Sequence, residues 1–300
     1  MRQILYTISI FFIFSTLKAQ QQDKESLFWS HRFSMKKDIS YGSDDQQRLD
    51  IFMQGTWVGE PSYFKQAPTK RPTLIYMHGG GWVGGDKESR VGLFIHYLER
   101  GWNVVNVEYR KGGNTAPQAV DDVLAVVKWV AENGVNFNMD TENLVLSGES
   151  AGGHLCLIAG LMNSVPGSHP SYVGDKVTIR AIINWFGVAD IAKANDFLKG
   201  TPWNYAEDWV GDKSTIAEIS EKYSPIYYIT AKAPPILTIH GTDDGVVPYS
   251  QSQLLHKALE KVGTTHQLLS LPGGKHMGFT EEQFQLIDRT IFSFLEDLVD

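Results

Sequence analysis

Short apolar runs alternate along this chain with longer stretches in which apolar residues recur every three or four positions. Residues 73–77, 104–107, 144–146, 181–183, 236–239 and 267–271 are runs of the first kind. Each is short enough to be a strand buried on both faces. Helical spacing appears between them: Val120, Val123, Leu124, Val127 and Val130 form one face, with Asp121, Asp122 and Lys128 interposed. Leu254, Leu255, Ala258, Leu259 and Val262 form a second, and Phe284, Ile287, Ile291, Phe292 and Leu295 a third. Near the start, residues 38–41 and 48–52 flank Gly42-Ser43-Asp44-Asp45 and predict an opening hairpin. Strands alternating with helices predict an α/β protein whose mostly parallel central sheet carries helices on both faces. Ligands of such sheets bind beyond the carboxyl ends of the strands.

Residues 190–225 break this rhythm. They hold Trp203, Tyr205, Trp209 and Tyr223, with Tyr227 and Tyr228 just beyond. Two readings stand side by side: an irregular lid or short helical insertion over a site, and a surface excursion whose aromatic side chains pack on the core.

The first residues read separately from the fold. Arg2 precedes an almost wholly apolar stretch over residues 4–17, and Lys18-Ala19-Gln20-Gln21 follows. A charged start, a short apolar segment and a polar exit predict a signal peptide over residues 1–19 and a secreted or periplasmic protein, with residues 20–300 as the folded domain. An uncleaved membrane anchor is the competing reading. Loss of Arg2 and Lys18 would carry the formal charge from −7 to −9. So acidic a chain is a poor general binder of nucleic acid, which requires a basic surface. Hydrophobic residues make up 42% and charged residues 20% of the 300, enough for one large core. The single cysteine, Cys156, lies in the apolar run of residues 155–161, so no internal disulfide forms and a core role is expected.

The chemistry concentrates where runs end. Gly148-Glu149-Ser150-Ala151-Gly152 closes one apolar run and opens another. In a strand–turn–helix context this G-x-S-x-G pentapeptide presents a nucleophilic serine, and glycine at its ends removes Cβ atoms that would collide. His78-Gly79-Gly80-Gly81-Trp82 follows the run at 73–77. Its glycines let backbone N–H groups approach a ligand closely, and such a loop completes an oxyanion hole with the N–H of the residue after the nucleophile, here Ala151. A phosphate-cradling role fails, because no Lys-Ser/Thr pair follows the glycines. Asp243 and Asp244 stand on the glycine-bounded turn after residues 236–239, and both are candidates to orient a base. His276 stands on the glycine-rich loop after residues 267–271. The order Ser, Asp, His is that of one hydrolase architecture.

These four segments, in this order, resemble an α/β-hydrolase of the HGGG esterase type, close to the hormone-sensitive-lipase-like and ferulate/acetyl esterase branches. The resemblance spans roughly residues 39–298. It implies a serine carboxylesterase with catalytic Ser150, Asp244 and His276, and with oxyanion donors Gly80, Gly81 and Ala151. Asp244 rather than Asp243 falls on the acid of H-G-x-x-D-x-x-V-P. It makes Tyr109-Arg110 and Ala116-Pro117 supports of the oxyanion loop, while His154 reads as a packed helix residue. Glu149 stands where many lipase-like relatives have Asp, and residues 21–37 are too few for that branch's helical cap; both favour a smaller secreted esterase with an open, shallow site. Trp82 and the aromatic segment after Asp190 are expected to contact substrate, with short-chain or aromatic acyl esters, including acetyl or feruloyl groups on plant polysaccharides, as the class. No metal or organic cofactor is implied, for there is no H-E-x-x-H and no clustered Cys/His set. The expected partner is a small-molecule or polysaccharide-linked ester, and no membrane association is expected after removal of the leader. An arylformamidase, a peptidase or a non-catalytic esterase-like binding protein are the alternatives.

Overall fold

The apolar runs become the inner strands of one sheet in the computed structural model, which describes residues 33–54 and 70–298. The leader expected at residues 1–19 lies outside the described residues. The strands are β1 (Phe33–Ser40), β2 (Arg48–Gln54), β3 (Arg71–Met77), β4 (Asn103–Val107), β5 (Met139–Glu149), β6 (Ile179–Trp185), β7 (Ile236–Gly241) and β8 (His266–Leu271). Among the described residues they form one eight-stranded sheet in the order β1-β2-β4-β3-β5-β6-β7-β8. β1 and β2 are the opening hairpin; β2 also pairs antiparallel with β4, and every later pairing is parallel.

Side chains alternate across the pleat, and both faces are buried. Ile75, Met77, Val105, Leu144, Leu146 and Ile182 point into one core layer. Leu74, Tyr76, Val104, Val145, Ile183 and Leu237 point into the other. The three helical patterns appear as α2 (Gln118–Asn133), α7 (Ser250–Val262) and α8 (Glu281–Glu296); the apolar run after Ser150 is α3 (Ala151–Asn163). α2, α3 and α7 cover the first face. The short α1 (Ile95–Glu99) and α8 cover the second. α8 starts at a capping box: Gln283 N–H donates to Thr280 Oγ1 at 3.2 Å and Thr280 N–H to Gln283 Oε1 at 2.9 Å.

β5 is longer than its apolar run. It spans 11 residues because backbone pairing reaches back to Arg71 opposite Met139, with the polar residues 140–143 kept near the surface. The segment between β6 and β7 is helical, with α4 (Ile191–Leu198), α5 (Tyr205–Val210) and α6 (Ile216–Tyr223). Asp190 and Asn204 cap the first two by accepting from Lys193 N–H and Glu207 N–H. Its aromatics divide: Trp209 and Tyr223 are buried, whereas Trp203 and Tyr227 are 60% and 58% exposed.

Register fixes where the site lies. Met77 is opposite Gly148, Glu149 is opposite Trp185, and Gly241 is opposite Leu271. The loops after β3, β5, β7 and β8 therefore leave the sheet at one edge, and they carry Gly80, Ser150, Asp244 and His276.

Candidate active site

Ser150 sits between β5 and α3 with φ 56° and ψ −116°, a left-handed backbone that side chains other than glycine seldom adopt. Its N–H donates to the Trp185 carbonyl at 2.9 Å, and its own carbonyl accepts from His154 N–H at 3.0 Å, so the turn is held from both sides. The flanking glycines make the turn possible. A Cβ on Gly148 would lie 2.5 Å from the Met77 carbonyl oxygen, and one on Gly152 would lie 2.1 Å from the same atom.

Ser150, Gly80, Gly81 and His276 line one cavity of about 370 Å³, with Tyr205 and Met277. Gly80 has φ +129° and Gly81 φ +61°; a Cβ on Gly81 would meet Tyr205 Cβ at 2.8 Å. The Gly80 carbonyl is turned away, accepting from Val83 N–H at 3.1 Å and Gly84 N–H at 2.9 Å. The N–H groups of Gly80, Gly81 and Ala151 have no backbone acceptor among the described residues. Donors left free at such a turn are what a developing oxyanion requires.

Asp244 is buried at the other end of the constellation. Its Oδ1 accepts from Val246 N–H at 2.8 Å and Val247 N–H at 3.0 Å. Its Oδ2 lies 2.7 Å from His276 Nδ1 and 3.1 Å from His240 Nε2. Burial opposes the charge, but hydrogen bonds from His240 and His276, the charge of His276 and the Val246 N–H outweigh it, holding the carboxyl well below the usual carboxylate range. Facing a carboxylate, His276 Nδ1 carries the proton, which leaves Nε2 as the basic nitrogen. The His276 ring packs against Phe186 at 4.6 Å between centroids. Asp243, the alternative acid, is exposed, and its carboxylate takes a 3.2 Å bond from Thr242 Oγ1.

The supporting residues around these groups are tied together by contacts the sequence does not show. His240 Nε2 faces both Asp244 and the Val247 carbonyl, at 3.1 and 3.0 Å, so it donates there, while Nδ1 takes the Ser252 hydroxyl at 2.6 Å. Its only sequence mark is the first position of H-G-x-x-D. Glu149 is buried beside the nucleophile; Tyr76 donates to its Oε2, and Arg90 Nε donates to Oε1 at 3.2 Å. Arg90 thus balances a negative charge that would otherwise oppose an oxyanion. His78 is fully buried, stacked on Tyr109 at 4.4 Å, with Nε2 3.1 Å from Glu108. Burial of Glu108 is outweighed by hydrogen bonds from His78 and Lys111, which bring its carboxyl down to about 2. Tyr109 also donates to the His78 carbonyl at 2.8 Å, and Arg110 grips the buried Asp122 on α2 at 2.6 Å.

Trp82 does not occupy the substrate position expected of it. Its indole is 0% exposed and absent from the cavity wall. It stacks on Trp209 at 4.5 Å and 18°, and its Nε1–H donates to His154 Nδ1 at 3.1 Å. The loop turns at Trp82 with φ 62°, which sends the side chain under the glycines. Tyr205 lines the cavity instead, its hydroxyl donating to the Val246 carbonyl at 3.1 Å. His154 is a packed helix residue: Nε2 donates to the Tyr223 carbonyl at 2.9 Å, and burial, partly offset by that bond, brings its pKa down to about 4. Cys156 is buried, and burial pushes its thiol up, away from thiolate. Among the described residues no group of three or more His, Cys, Asp or Glu is placed to hold a metal ion, and no helix is long and apolar enough to cross a membrane.

A mostly parallel sheet with helices on both faces and a serine on the sharp turn between a central strand and its helix define an α/β-hydrolase. Within that class the chain belongs to the BD-FAE family, whose profile matches residues 62–259. It is 30% identical over 246 residues to Esterase LipQ of Mycobacterium tuberculosis, covering 80% of this chain and 56% of LipQ. The chain spans little more than half the length of the curated relatives it matches. Among solved structures, a bifunctional GH43-CE protein of Bacteroides eggerthii superposes with a TM-score of 0.69 at 25% identity, over 88% of this chain and 38% of that one. Esterase B of Lactobacillus rhamnosis superposes with a TM-score of 0.70 at 19% identity, over 95% of each chain.

Proposed function

We propose that this chain is a serine carboxylesterase using Ser150, His276 and Asp244. One observation carries the reading: Asp244–His276 and the strained Ser150 turn converge on a cavity that the unpaired N–H groups of the glycine loop border. In the reaction, Ser150 Oγ attacks the ester carbonyl carbon while His276 Nε2 takes its proton. Asp244 holds the Nδ1–H tautomer and stabilises the imidazolium. The N–H groups of Gly80, Gly81 and Ala151 receive the tetrahedral oxyanion, each donor being worth about 3 kcal/mol, a factor of about a hundred in rate. Collapse expels the alcohol with the proton from His276. Water, deprotonated by the same nitrogen, then cleaves the acyl-enzyme and restores Ser150.

The names of the relatives support ester over amide chemistry: esterases, a carboxylic ester hydrolase and an acetyl esterase recur among them. The modest cavity walled by backbone glycines suits a short acyl group such as acetyl at the reacting end. A secreted or periplasmic location and a polysaccharide-linked ester fit the leader-like start of the sequence. Ser150→Ala is expected to abolish turnover of a short-chain nitrophenyl ester and labelling by a fluorophosphonate while the circular dichroism spectrum stays unchanged. Persistent turnover in that variant would sink the assignment.

A further inference from the structure

The turn after β6 buries a strained side chain against His276. Phe186 has φ 42°, in the left-handed region that a bulky residue rarely enters, and it is fully buried. Such a conformation persists only where the surroundings impose it. Here they do. Phe186 N–H donates to the Ile239 carbonyl on β7 at 2.9 Å, and Gly187 N–H donates to Asn184 Oδ1 at 2.9 Å. Asn184 Nδ2 in turn donates to Thr238 Oγ1 at 3.1 Å. Gly187 lies against the start of α3, where a Cβ on it would fall 2.4 Å from the Gly153 carbonyl carbon.

The imposed turn delivers an aromatic ring to the loop after β8. Phe186 packs on His276 at 4.6 Å between centroids and on Phe279 at 6.1 Å. Among the described residues, 275–279 make no backbone-to-backbone hydrogen bond, so no ladder holds this loop in place. The His276 side chain makes one hydrogen bond, from Nδ1 to Asp244 at 2.7 Å. A single bond to a ring whose outer torsion is soft leaves the imidazole free to turn about it. The packed face of Phe186 removes that freedom. Phe186 does not line the catalytic cavity, so it has no place against substrate.

We propose that Phe186 is a positioning residue for His276, keeping Nε2 aimed at Ser150 while Asp244 holds Nδ1. The proposal rests on the esterase reading and extends it to how the base is held. One strained turn then ties three parts of the reaction together. The Trp185 carbonyl holds Ser150 N–H, Phe186 N–H holds the strand that leads to Asp244, and the Phe186 ring holds the base. Misplacing a reacting group by about 1 Å can cost about a hundredfold in rate, so a ring that touches no substrate still has leverage on turnover.

The test is a double-substitution cycle in the full chain. Phe186→Leu and Asp244→Asn are measured singly and together on nitrophenyl acetate, with urea unfolding fixing the folded fraction so that kcat is expressed per folded molecule. Phe186→Leu is expected to lower kcat about tenfold or more, with KM within about threefold of wild type. In the Asp244→Asn background His276 has already lost its working tautomer, so the same substitution is expected to cost about threefold or less, both changes acting through one imidazole. A side chain that merely supports the fold would cost the same factor in both backgrounds, and that result would overturn the proposal. So would a kcat in Phe186→Leu within about twofold of wild type, or a raised KM at unchanged kcat. If Phe186→Leu does not fold, Phe186→Met takes its place in the cycle with the same expectations. A wild-type chain that hydrolyses no ester, or an unchanged kcat in Asp244→Asn alone, is a different result: it removes the catalytic reading and the positioning role with it.

Discussion

Asp244→Asn is the substitution whose consequences the structure determines most closely. The new side chain must place its oxygen toward Val246 and Val247, because their N–H groups at 2.8 and 3.0 Å need an acceptor. Its NH₂ then replaces Oδ2 and faces His276 Nδ1 and His240 Nε2, both of which donate in the wild type. His276 answers by moving its proton to Nε2, the nitrogen that has to act as base, and that tautomer costs about 10⁴ in rate, or about 5 kcal/mol of barrier. His240 has no such freedom, because its Nε2 also serves the Val247 carbonyl at 3.0 Å. One buried donor therefore loses its partner, at a stability cost of about 1–3 kcal/mol. The assay is kcat/KM on a nitrophenyl acetate, paired with urea unfolding followed by tryptophan fluorescence. Asp243→Asn is the control: that side chain is exposed and bonds only to Thr242, so rate and stability should stay near wild type. A folded Asp244→Asn enzyme within about tenfold of wild-type rate would refute the tautomer argument. Loss of activity in Asp243→Asn instead would move the acid to the neighbouring residue.

Two further outcomes follow from the same structure. Gly152→Ala places a Cβ 2.1 Å from the Met77 carbonyl oxygen and 2.6 Å from that of His78, so backbone must shift; a stability loss of at least about 1–3 kcal/mol in urea unfolding is expected, whereas Gly245→Ala, with open space around its Cβ, should be nearly neutral. Acid should destabilise the fold from near neutrality, because burial, joined at His256 by the charge of His266, lowers His154 and His256 to about 4. Above about pH 6.5 both are neutral in either state. Below it the unfolded chain takes up protons that the native state refuses, so stability falls with pH by up to about 3 kcal/mol for each. Below about pH 4 the depressed carboxyls of Asp244 and Glu108 add to the loss, since unfolded carboxyls protonate first. A stability profile that stays flat from pH 7 to about pH 4.5 would contradict the histidine assignment.

The inner strands and long helices are legible in the sequence because burial on both faces leaves unbroken apolar runs, and one-sided burial leaves a helical period. What escapes is structure that owes nothing to side-chain polarity. The start of β5 is set by one backbone pairing, Met139 opposite Arg71 of β3, and α1, at five residues, is too short to show a period. The proposed catalytic residues are legible for a different reason. Ser150, Asp244 and His276 each sit where a strand ends in a glycine-bearing turn, so local sequence marks them. Their supports are marked only by what the fold brings from elsewhere. Glu149 is visible as a departure from Asp, but its pairing with Tyr76 and Arg90 joins residues 73 and 59 positions apart. His240 reads as the end of a strand until Asp244 is seen to share it with His276.

The exchange between Trp82 and Tyr205 shows why nearness in sequence misleads about a cavity wall. Trp82 follows the oxyanion glycines directly, which suggests a substrate contact. Yet the left-handed turns that free the Gly80 and Gly81 N–H groups also rotate the next side chain inward. There Trp82 meets Trp209 of α5 and His154 of α3, and His154 in turn reaches the Tyr223 carbonyl of α6. The insertion after β6 is therefore built into the foundation of the oxyanion loop as well as into its rim. Tyr205 contacts Gly81 from above, while Trp209, four residues later on the same short helix, supports Trp82 from below. Because one helical turn grips both sides of the glycine loop, movement of the insertion would shift the donor geometry and the cavity wall together. Under the proposed mechanism, substrate selection and oxyanion stabilisation would both draw on α5, and changes there aimed at specificity should be read in kcat as well as in KM.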